Sequence, residues 1–284
     1  MEIEQYLWGA SAEGEGILLY TMRCAGGREV RLTNAGAAVT GIYVPGHEEP
    51  AAEKPQKPTA RKEGSEPDEA RPEPVPLTPV FETPEALLAD CTDCGKTLCG
   101  NIYGFGRRIW ESRVETNRVV MELAADGNGL PAMAVLFDLD DDGQFVITHL
   151  AKGATTMPFT MTTRLVWRGA WHATLHVGQS DIGNTGSVDF SGMSVADSPT
   201  TGADGNLRLD DGTFYPVAGW QKNILGEAAK LEETATGRMV GILSSQPEVC
   251  TLRQGDMLAV VCGESHPTPL DDTTLYCQKT VYRF

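Results

Sequence analysis

Three consecutive segments in the middle of the chain alternate apolar with polar residues, and tight turns separate them. The segments are Arg118–Leu123, Ala132–Leu139 and Gln144–Leu150. The sequences between them contain Asp126-Gly-Asn-Gly129 and Asp140-Asp-Asp-Gly143, which are typical of turns between strands. Because a period of two places one face of a strand against a core and the other toward solvent, this region is predicted to be an antiparallel meander.

The same alternation recurs near the start of the chain. Glu29–Thr33 and Ala38–Val44 are predicted to be strands of a hairpin. Only the short segment Pro84–Asp90 has helical character, with Thr83 as its N-cap. Short strands at regular spacing with very little helix predict an all-β fold, a large antiparallel β-sandwich.

A segment of different composition, residues 47–76, separates the two strand-rich parts. It contains no aromatic residue, one large aliphatic residue in Val75, and many Pro, Glu and Lys residues. Such a stretch cannot bury enough apolar surface to offset the entropy of ordering it, so it is predicted to be a disordered acidic loop. The strands before it are too few to fold alone. We therefore expect one domain, residues 1–284, which the loop interrupts.

Charge and cysteine content limit the environment and the partners. The formal net charge is -16 and the pI is about 4.7, which argues against nucleic acid or an anionic membrane surface as a partner. The first residues carry no basic segment followed by an apolar run, and no stretch of about 18 apolar residues occurs. Seven cysteines, an odd number scattered along the chain, indicate reduced thiols. A cytoplasmic protein is predicted.

One group of cysteines has spacing that suits a metal. Cys91, Cys94 and Cys99 could supply thiolates to zinc, but no second CxxC or HxxxH pattern provides a fourth ligand. The Asp140-Asp-Asp-Gly143 turn lacks the ligand spacing of a calcium loop and is predicted to be a solvated hairpin tip. The sequence therefore predicts no metal and no cofactor.

Several short stretches carry a resemblance to a known family. Tyr103-Gly-Phe-Gly-Arg-Arg-Ile-Trp-Glu111 is similar to a "GFDKRVWE" segment, and Leu32–Pro45 is similar to a "TNYGATI…VPD" strand pair. Further matches are Thr236-Gly-Arg-Met239, Gln246-Pro247 and Thr280–Phe284. These stretches follow one another in the order found in aldose 1-epimerases (galactose mutarotases) and span nearly the whole chain. By these motifs the chain resembles a divergent member of that family.

The resemblance implies both a fold and a reaction. The family fold is an antiparallel β-sandwich with a concave face on which a hexose lies. Its reaction interconverts the α and β anomers of an aldose. A carboxylate removes the proton of the anomeric hydroxyl while a histidine protonates the ring oxygen, and the ring opens.

At the matched positions most of the family's functional side chains are replaced. Cys99 stands where a substrate-binding histidine is expected, Arg164 stands at the catalytic histidine, and Gln221 stands at a sugar-binding aspartate. A hairpin that supplies a sugar-binding arginine is missing between Asp90 and Lys96. Arginine keeps its proton far above neutral pH, so Arg164 cannot act as the acid. The resemblance nevertheless implies that these three residues line a substrate site.

One catalytic group is retained in the matched pattern. In Val260–His266 the resemblance implies that Glu264 is the general base. The missing acid could be replaced by His172, His176 or His266, and the first two share one face of a predicted strand. Histidines on strands are more often structural, so both interpretations stay open.

Tryptophans and basic residues complete the predicted site. Trp110 and Trp167 match apolar or aromatic family positions and are expected in the core, whereas Trp220 is expected to stack on a ligand. Arg164, Arg168 and Lys222 favour an anionic sugar such as a sugar phosphate.

Three functions remain open on the sequence alone. The first is a protein that binds a sugar or sugar-like ligand without turnover. The second is an active aldose 1-epimerase with Glu264 as base and a relocated acid. The third is an interaction protein that binds a basic protein partner through the acidic loop at residues 47–76.

Overall fold

A computed structural model of the protein describes residues 1–46, 73–90, 92–99, 105–127, 129–176, 180–181, 187–188, 193–194, 214–254 and 256–284. Residues 47–72, most of the predicted acidic loop, lie outside the described residues. The prediction was wrong at the end of that segment, because Val75–Pro76 forms a short strand. This strand pairs with Tyr43 and Val44, so long-range pairing orders a Pro-rich stretch whose composition alone indicated disorder.

The first sheet of the described chain is built from its first five strands. In spatial and chain order they are β1 Glu2–Ala10, β2 Gly16–Arg23, β3 Glu29–Thr33, β4 Ala38–Val44 and β5 Val75–Pro76. The predicted hairpin is confirmed, since β3 and β4 have the predicted bounds and pair antiparallel. Gly36, in the turn between them, has a φ of 71°, and a Cβ there would lie 2.5 Å from the carbonyl oxygen of Gly106. Only glycine fits this turn.

Helix is confined to two short elements among the described residues. Helix α1 spans Pro84–Ala89, and a single 3-10 turn spans Phe105–Arg107. The predicted N-cap is confirmed, because the Thr83 hydroxyl accepts a hydrogen bond from the backbone N–H of Ala86 at 3.2 Å. Neither element has the length and apolar character that a bilayer crossing by a helix requires.

The other strands of the described chain follow in sequence order. They are β6 Thr97–Cys99, β7 Glu111–Glu115, β8 Arg118–Leu123, β9 Ala132–Leu139, β10 Gln144–Lys152, β11 Met161–Thr163, β12 Leu165–Arg168, β13 Trp171–Leu175, β14 Ser180–Asp181, β15 Ser187–Val188, β16 Met193–Ser194, β17 Tyr215–Pro216, β18 Gly226–Glu233, β19 Met239–Ser244, β20 Glu248–Gln254, β21 Met257–Gly263 and β22 Tyr276–Arg283.

These strands form one large sheet and a smaller one that frames the candidate site. In the described residues the large sheet has the order β16-β13-β18-β19-β22-β10-β9-β8-β7, and the smaller one has the order β12-β21-β20-β17. Strands β6 and β11 pair with each other, as do β14 and β15. The predicted meander is confirmed by the antiparallel pairing of β8 with β9 and of β9 with β10. Its Asp140–Gly143 turn places three exposed aspartates at a hairpin tip.

A single apolar core joins the three main sheets. It combines residues of the first sheet, such as Val30, with Phe137 of the large sheet and Leu258 of the smaller one. Trp110 and Trp167 are at most 1% exposed within this core, as predicted. The alternation seen in the sequence therefore places one face of each sheet in a shared interior. The structure confirms an all-β antiparallel sandwich.

Candidate functional site

A cavity of about 570 Å³ opens at one end of the smaller sheet. We call it the end cavity, and its lining includes Trp220, Pro247, Glu248, Glu264, Ser265 and His266. A volume of this size is within the range of small-ligand sites.

Three strand ends meet at the end cavity because of the register of the sheet. Strand β20 begins at Glu248, which pairs with Gly263 at the end of β21 and with Pro216 at the end of β17. The chain then leaves β21 with Glu264 and leaves β17 with a loop that carries Trp220. Antiparallel pairing therefore brings residues far apart in sequence to one edge.

The Trp220 ring is held in place from one side. Val217 donates its backbone N–H to the carbonyl of Pro247 at 2.8 Å, which fixes the start of the loop. The Trp220 indole N–H donates to the carbonyl of Ser245 at 2.9 Å, and the side chain remains 38% exposed. A partly exposed indole that lines a cavity with its N–H satisfied is suited to packing against an apolar ligand face.

Two carboxylates share the end cavity. Glu248 accepts hydrogen bonds from the backbone N–H of Ser265 and from its hydroxyl, the latter at 2.9 Å. Glu264 is partly buried, and this burial raises its pKa above the ordinary value. The negative charge of Glu248 is the second, smaller cause of the same shift. A carboxylate whose pKa is raised holds a proton more readily and is a better base when ionised.

A hydrogen-bonded chain links Glu248 to a histidine. The Ser265 hydroxyl lies 2.8 Å from Nδ1 of His266. A hydroxyl has one hydrogen, so when Ser265 donates to Glu248, Nδ1 of His266 carries the proton and donates to Ser265. In neutral His266 this leaves Nε2 as the unprotonated nitrogen. His266 is exposed.

The predicted site residues fall into two groups in the structure. Trp220 and Glu264 line the end cavity together, and Gln221 and Lys222 follow Trp220 in the same loop with exposed side chains. The described lining of this cavity does not include Gln221, Lys222 or Arg164.

The remaining predicted residues, Cys99 and Arg164, lie at the end of β6 and directly after β11. Cys99 is paired with Met161 through the backbone, and its side chain lies outside the described atoms. Arg164 directly follows β11, and its guanidinium donates to the carbonyl of Thr92 at 3.0 Å. The positive charge of Arg164 is thus directed to the segment before β6.

A buried polar cluster next to this pair was missed by the sequence interpretation. We call it the closed cluster, and it contains Thr97, Thr163 and His149. The Thr97 hydroxyl donates to the carbonyl of Ala37 at 2.9 Å and lies 3.1 Å from the Thr163 hydroxyl, which lies 3.0 Å from Nε2 of His149. Since each hydroxyl has one hydrogen, Thr163 donates to Thr97 and accepts from Nε2–H of His149.

Burial fixes the charge state of the closed cluster. His149 is 3% exposed, and desolvation lowers its pKa to about 3, so the imidazole is neutral at neutral pH. The signal for this position was present in the sequence. On β10 every second residue is buried, and His149 lies on the same face as Phe145 and Ile147, which are both fully buried.

A buried lysine near the same strands was also missed. Lys96 is 1% exposed, its Nζ donates to the carbonyl of Asp90 at 2.9 Å, and it lies 3.6 Å from a carboxylate oxygen of Asp93. An ammonium so enclosed must be paired with oxygen atoms, and these two provide the pairing.

The cysteines with metal-like spacing do not form a described site. Cys91 lies outside the described residues, and the Cys94 thiol is buried, which raises its pKa to about 12. A thiol with this pKa stays protonated at neutral pH and is a poor zinc ligand. Within the described residues, no three His, Cys, Asp or Glu side chains are arranged to hold a metal ion.

The other histidines considered as a replacement acid lie on β13 or just after it. His172 is exposed on the strand, and Nε2 of His176 lies 3.7 Å from a carboxylate oxygen of Glu227. Of the three histidines considered, His266 is the one in the described lining of the end cavity.

Comparisons with known proteins identify the fold. No protein-family model and no curated protein sequence matches the chain. The chain is similar to the solved structure of galactose 1-epimerase from Lactobacillus acidophilus NCFM, with 12% identity, a TM-score of 0.68, and coverage of 99% of this chain and 98% of that one. It is also similar to the GalM/aldose epimerase homologue from C. elegans, with 14% identity, a TM-score of 0.64, and coverage of 92% and 97%. The protein thus has the galactose mutarotase-like sandwich implied by the sequence motifs.

Proposed function

We propose that the protein is a divergent member of the aldose 1-epimerase family that binds a monosaccharide in the end cavity. The observation that carries the proposal is the anchored and partly exposed Trp220 ring in the same cavity as two carboxylates. A pyranose has an apolar face of C–H groups, which packs on indole, and hydroxyls, which donate to carboxylate oxygens. The end cavity offers both kinds of contact.

We further propose that this protein binds sugar without efficient turnover. Arg164 occupies the matched position of the acid, keeps its charge, and donates to Thr92. Loss of a positioned proton carrier lowers the rate of such a reaction by roughly 10² to 10⁴.

The packing of the core supports the proposal that the chain forms one domain. Core residues from β2 to β4, before the segment at residues 47–72, pack with core residues that follow it, which supports one domain over residues 1–284. The acidic loop has no described geometry over residues 47–72. Its binding of a protein partner, and the cytoplasmic location, stay predictions.

A calorimetric titration tests sugar binding. We expect D-glucose or D-galactose to bind at millimolar concentration and Trp220→Ala to weaken binding by about three- to tenfold, because a stacking surface is lost. Ile224→Ala is the matched control, since Ile224 is 54% exposed in the same loop and is outside the described lining of the end cavity. Equal affinities for the wild type and Trp220→Ala would contradict the proposal.

An active aldose 1-epimerase is the second candidate, and His266 is the observation that favours it. Glu264 would act as base, and His266, oriented through Ser265 and Glu248, would be the relocated acid. Polarimetry of freshly dissolved α-D-glucose decides this point. A rate above the spontaneous one that is lost in both Glu264→Gln and His266→Gln would support the second candidate. If the protein does not accelerate mutarotation even at high concentration, the second candidate is wrong and the proposal of sugar binding without turnover stands.

A further inference from the structure

Acidic side chains outnumber basic ones in the described lining of the end cavity. Glu248 and Glu264 both line it, and no lysine or arginine belongs to its described lining. Lys222 is two residues beyond Trp220 but lies with its side chain exposed. His266, the one histidine in the described lining, is exposed.

We infer that the end cavity selects a monosaccharide carrying a protonated amine over the neutral sugar and disfavours a sugar phosphate. The inference rests on the proposed sugar-binding function and specifies the class of sugar. It applies to an ammonium group on the ring or on its exocyclic carbon.

The geometry supports this selection in two ways. Glu248 is held by two hydrogen bonds from Ser265, so its charge is fixed at the wall of the cavity. Glu264 is partly buried and is close enough to Glu248 for mutual repulsion to contribute to its raised pKa. An ammonium bound near both carboxylates would relieve that repulsion, whereas a phosphate would add to it.

Trp220 adds to the preference for a cation. The face of an indole carries negative potential and attracts ammonium groups. Trp220 and the two carboxylates line the same cavity, so a ligand that fills it has both kinds of group at its walls.

This inference reverses the prediction of an anionic sugar. That prediction depended on Arg164, Arg168 and Lys222 lying around one pocket. The structure directs Arg164 to the carbonyl of Thr92 and places the exposed Arg168 guanidinium 3.9 Å from a carboxylate oxygen of Asp256. These two cations therefore have protein partners outside the end cavity.

A series of ligands that differ only in charge tests the inference. The parent sugar, D-glucose or D-galactose, is titrated at pH 7 beside its 2-amino-2-deoxy, 6-amino-6-deoxy and 6-phosphate derivatives. We expect one of the amines to bind about five- to tenfold more tightly than the parent and the phosphate to bind more weakly than the parent. Added salt should reduce the difference between amine and parent.

Two neutral variants assign the effect to the carboxylates. Glu248→Gln and Glu264→Gln should each reduce the preference for the amine, because each removes one negative charge and keeps the shape of the side chain. Glu227→Gln is the control, since Glu227 lies 3.7 Å from His176 and is outside the described lining. A preference that is unchanged in both cavity variants would overturn the inference.

The outcomes separate the inference from the proposed function. If the parent sugar binds and the amines bind no more tightly, the inference is wrong and the proposed function stands. If the phosphate binds more tightly than the parent sugar, the inference is also wrong, and the earlier prediction of an anionic sugar is supported instead. If neither the parent nor any derivative binds, the proposed function itself fails.

Discussion

The closed cluster and the end cavity differ in where their polar groups point. In the closed cluster Thr97, Thr163 and His149 bond to one another, and all three are less than 5% exposed. In the end cavity Trp220 and Glu264 keep exposed surface beside open volume. The family resemblance assigned Cys99 and Arg164, which neighbour the closed cluster in sequence, to the same sugar site as Glu264. The difference indicates that the first region serves stability and that the second region is available to a ligand.

The largest expected effect is on the pH dependence of stability through His149. Its pKa is lowered to about 3 in the folded protein, whereas the unfolded chain takes up a proton near pH 6.5. The stability it contributes is therefore complete above pH 6.5 and is lost as the pH falls toward 3. We expect a loss of about 3 kcal/mol between pH 7 and pH 4.

Urea unfolding at the two pH values measures this loss. His149→Gln, which retains an amide for Thr163 but does not titrate, should show a smaller difference between pH 7 and pH 4. Carboxylates titrate equally in both proteins. The same difference in both proteins would show that His149 is not a buried neutral group.

A smaller effect is expected at Lys96, which is also buried near the closed cluster. Lys96→Met should lower the free energy of unfolding by about 2 to 3 kcal/mol, because the part-buried carbonyl of Asp90 loses its charged donor. The exposed Lys222 provides the matched control, and Lys222→Met should change stability by less than about 0.5 kcal/mol. Chemical denaturation of both variants makes the comparison, and equal losses would contradict the account.

Much of the fold could be predicted because alternation reports burial directly. The bounds of β3, β4, β8 and β9 agree with the predicted segments, and β10 continues two residues further than predicted, to Lys152. The short strand at Val75–Pro76 could not be predicted, because its formation depends on pairing with residues more than 30 positions earlier in the sequence.

The site was less accessible from the sequence than the fold. The family resemblance singled out Trp220 and Glu264, which the structure places at one cavity. It did not identify Glu248, whose hydrogen bonds to Ser265 join residues 17 positions apart and depend on the register of β20 with β21. The motifs also could not show that the Arg164 side chain is bonded to Thr92.

The smallest expected effect has the opposite sign and belongs to the end cavity. The pKa of Glu264 is raised in the folded protein, so its ionisation above that pKa disfavours folding. Glu264→Gln should therefore raise stability at pH 7 by less than about 1 kcal/mol after solvent screening, and the gain should shrink as the pH falls to 4. Melting temperatures at the two pH values report it. A lower melting temperature for Glu264→Gln at pH 7 would mean that the carboxylate is structural.

The indole N–H signals of the protein test most directly whether the end cavity is the sugar site. The chain has five tryptophans, of which Trp110, Trp167 and Trp171 are at most 1% exposed, and Trp220→Phe identifies the signal of Trp220 in a proton–nitrogen correlation spectrum. On titration with D-glucose, D-galactose or their amino derivatives, we expect a saturable shift of the Trp220 signal while the signals of the three buried tryptophans stay in place. Saturable binding that leaves the Trp220 signal unmoved would contradict it.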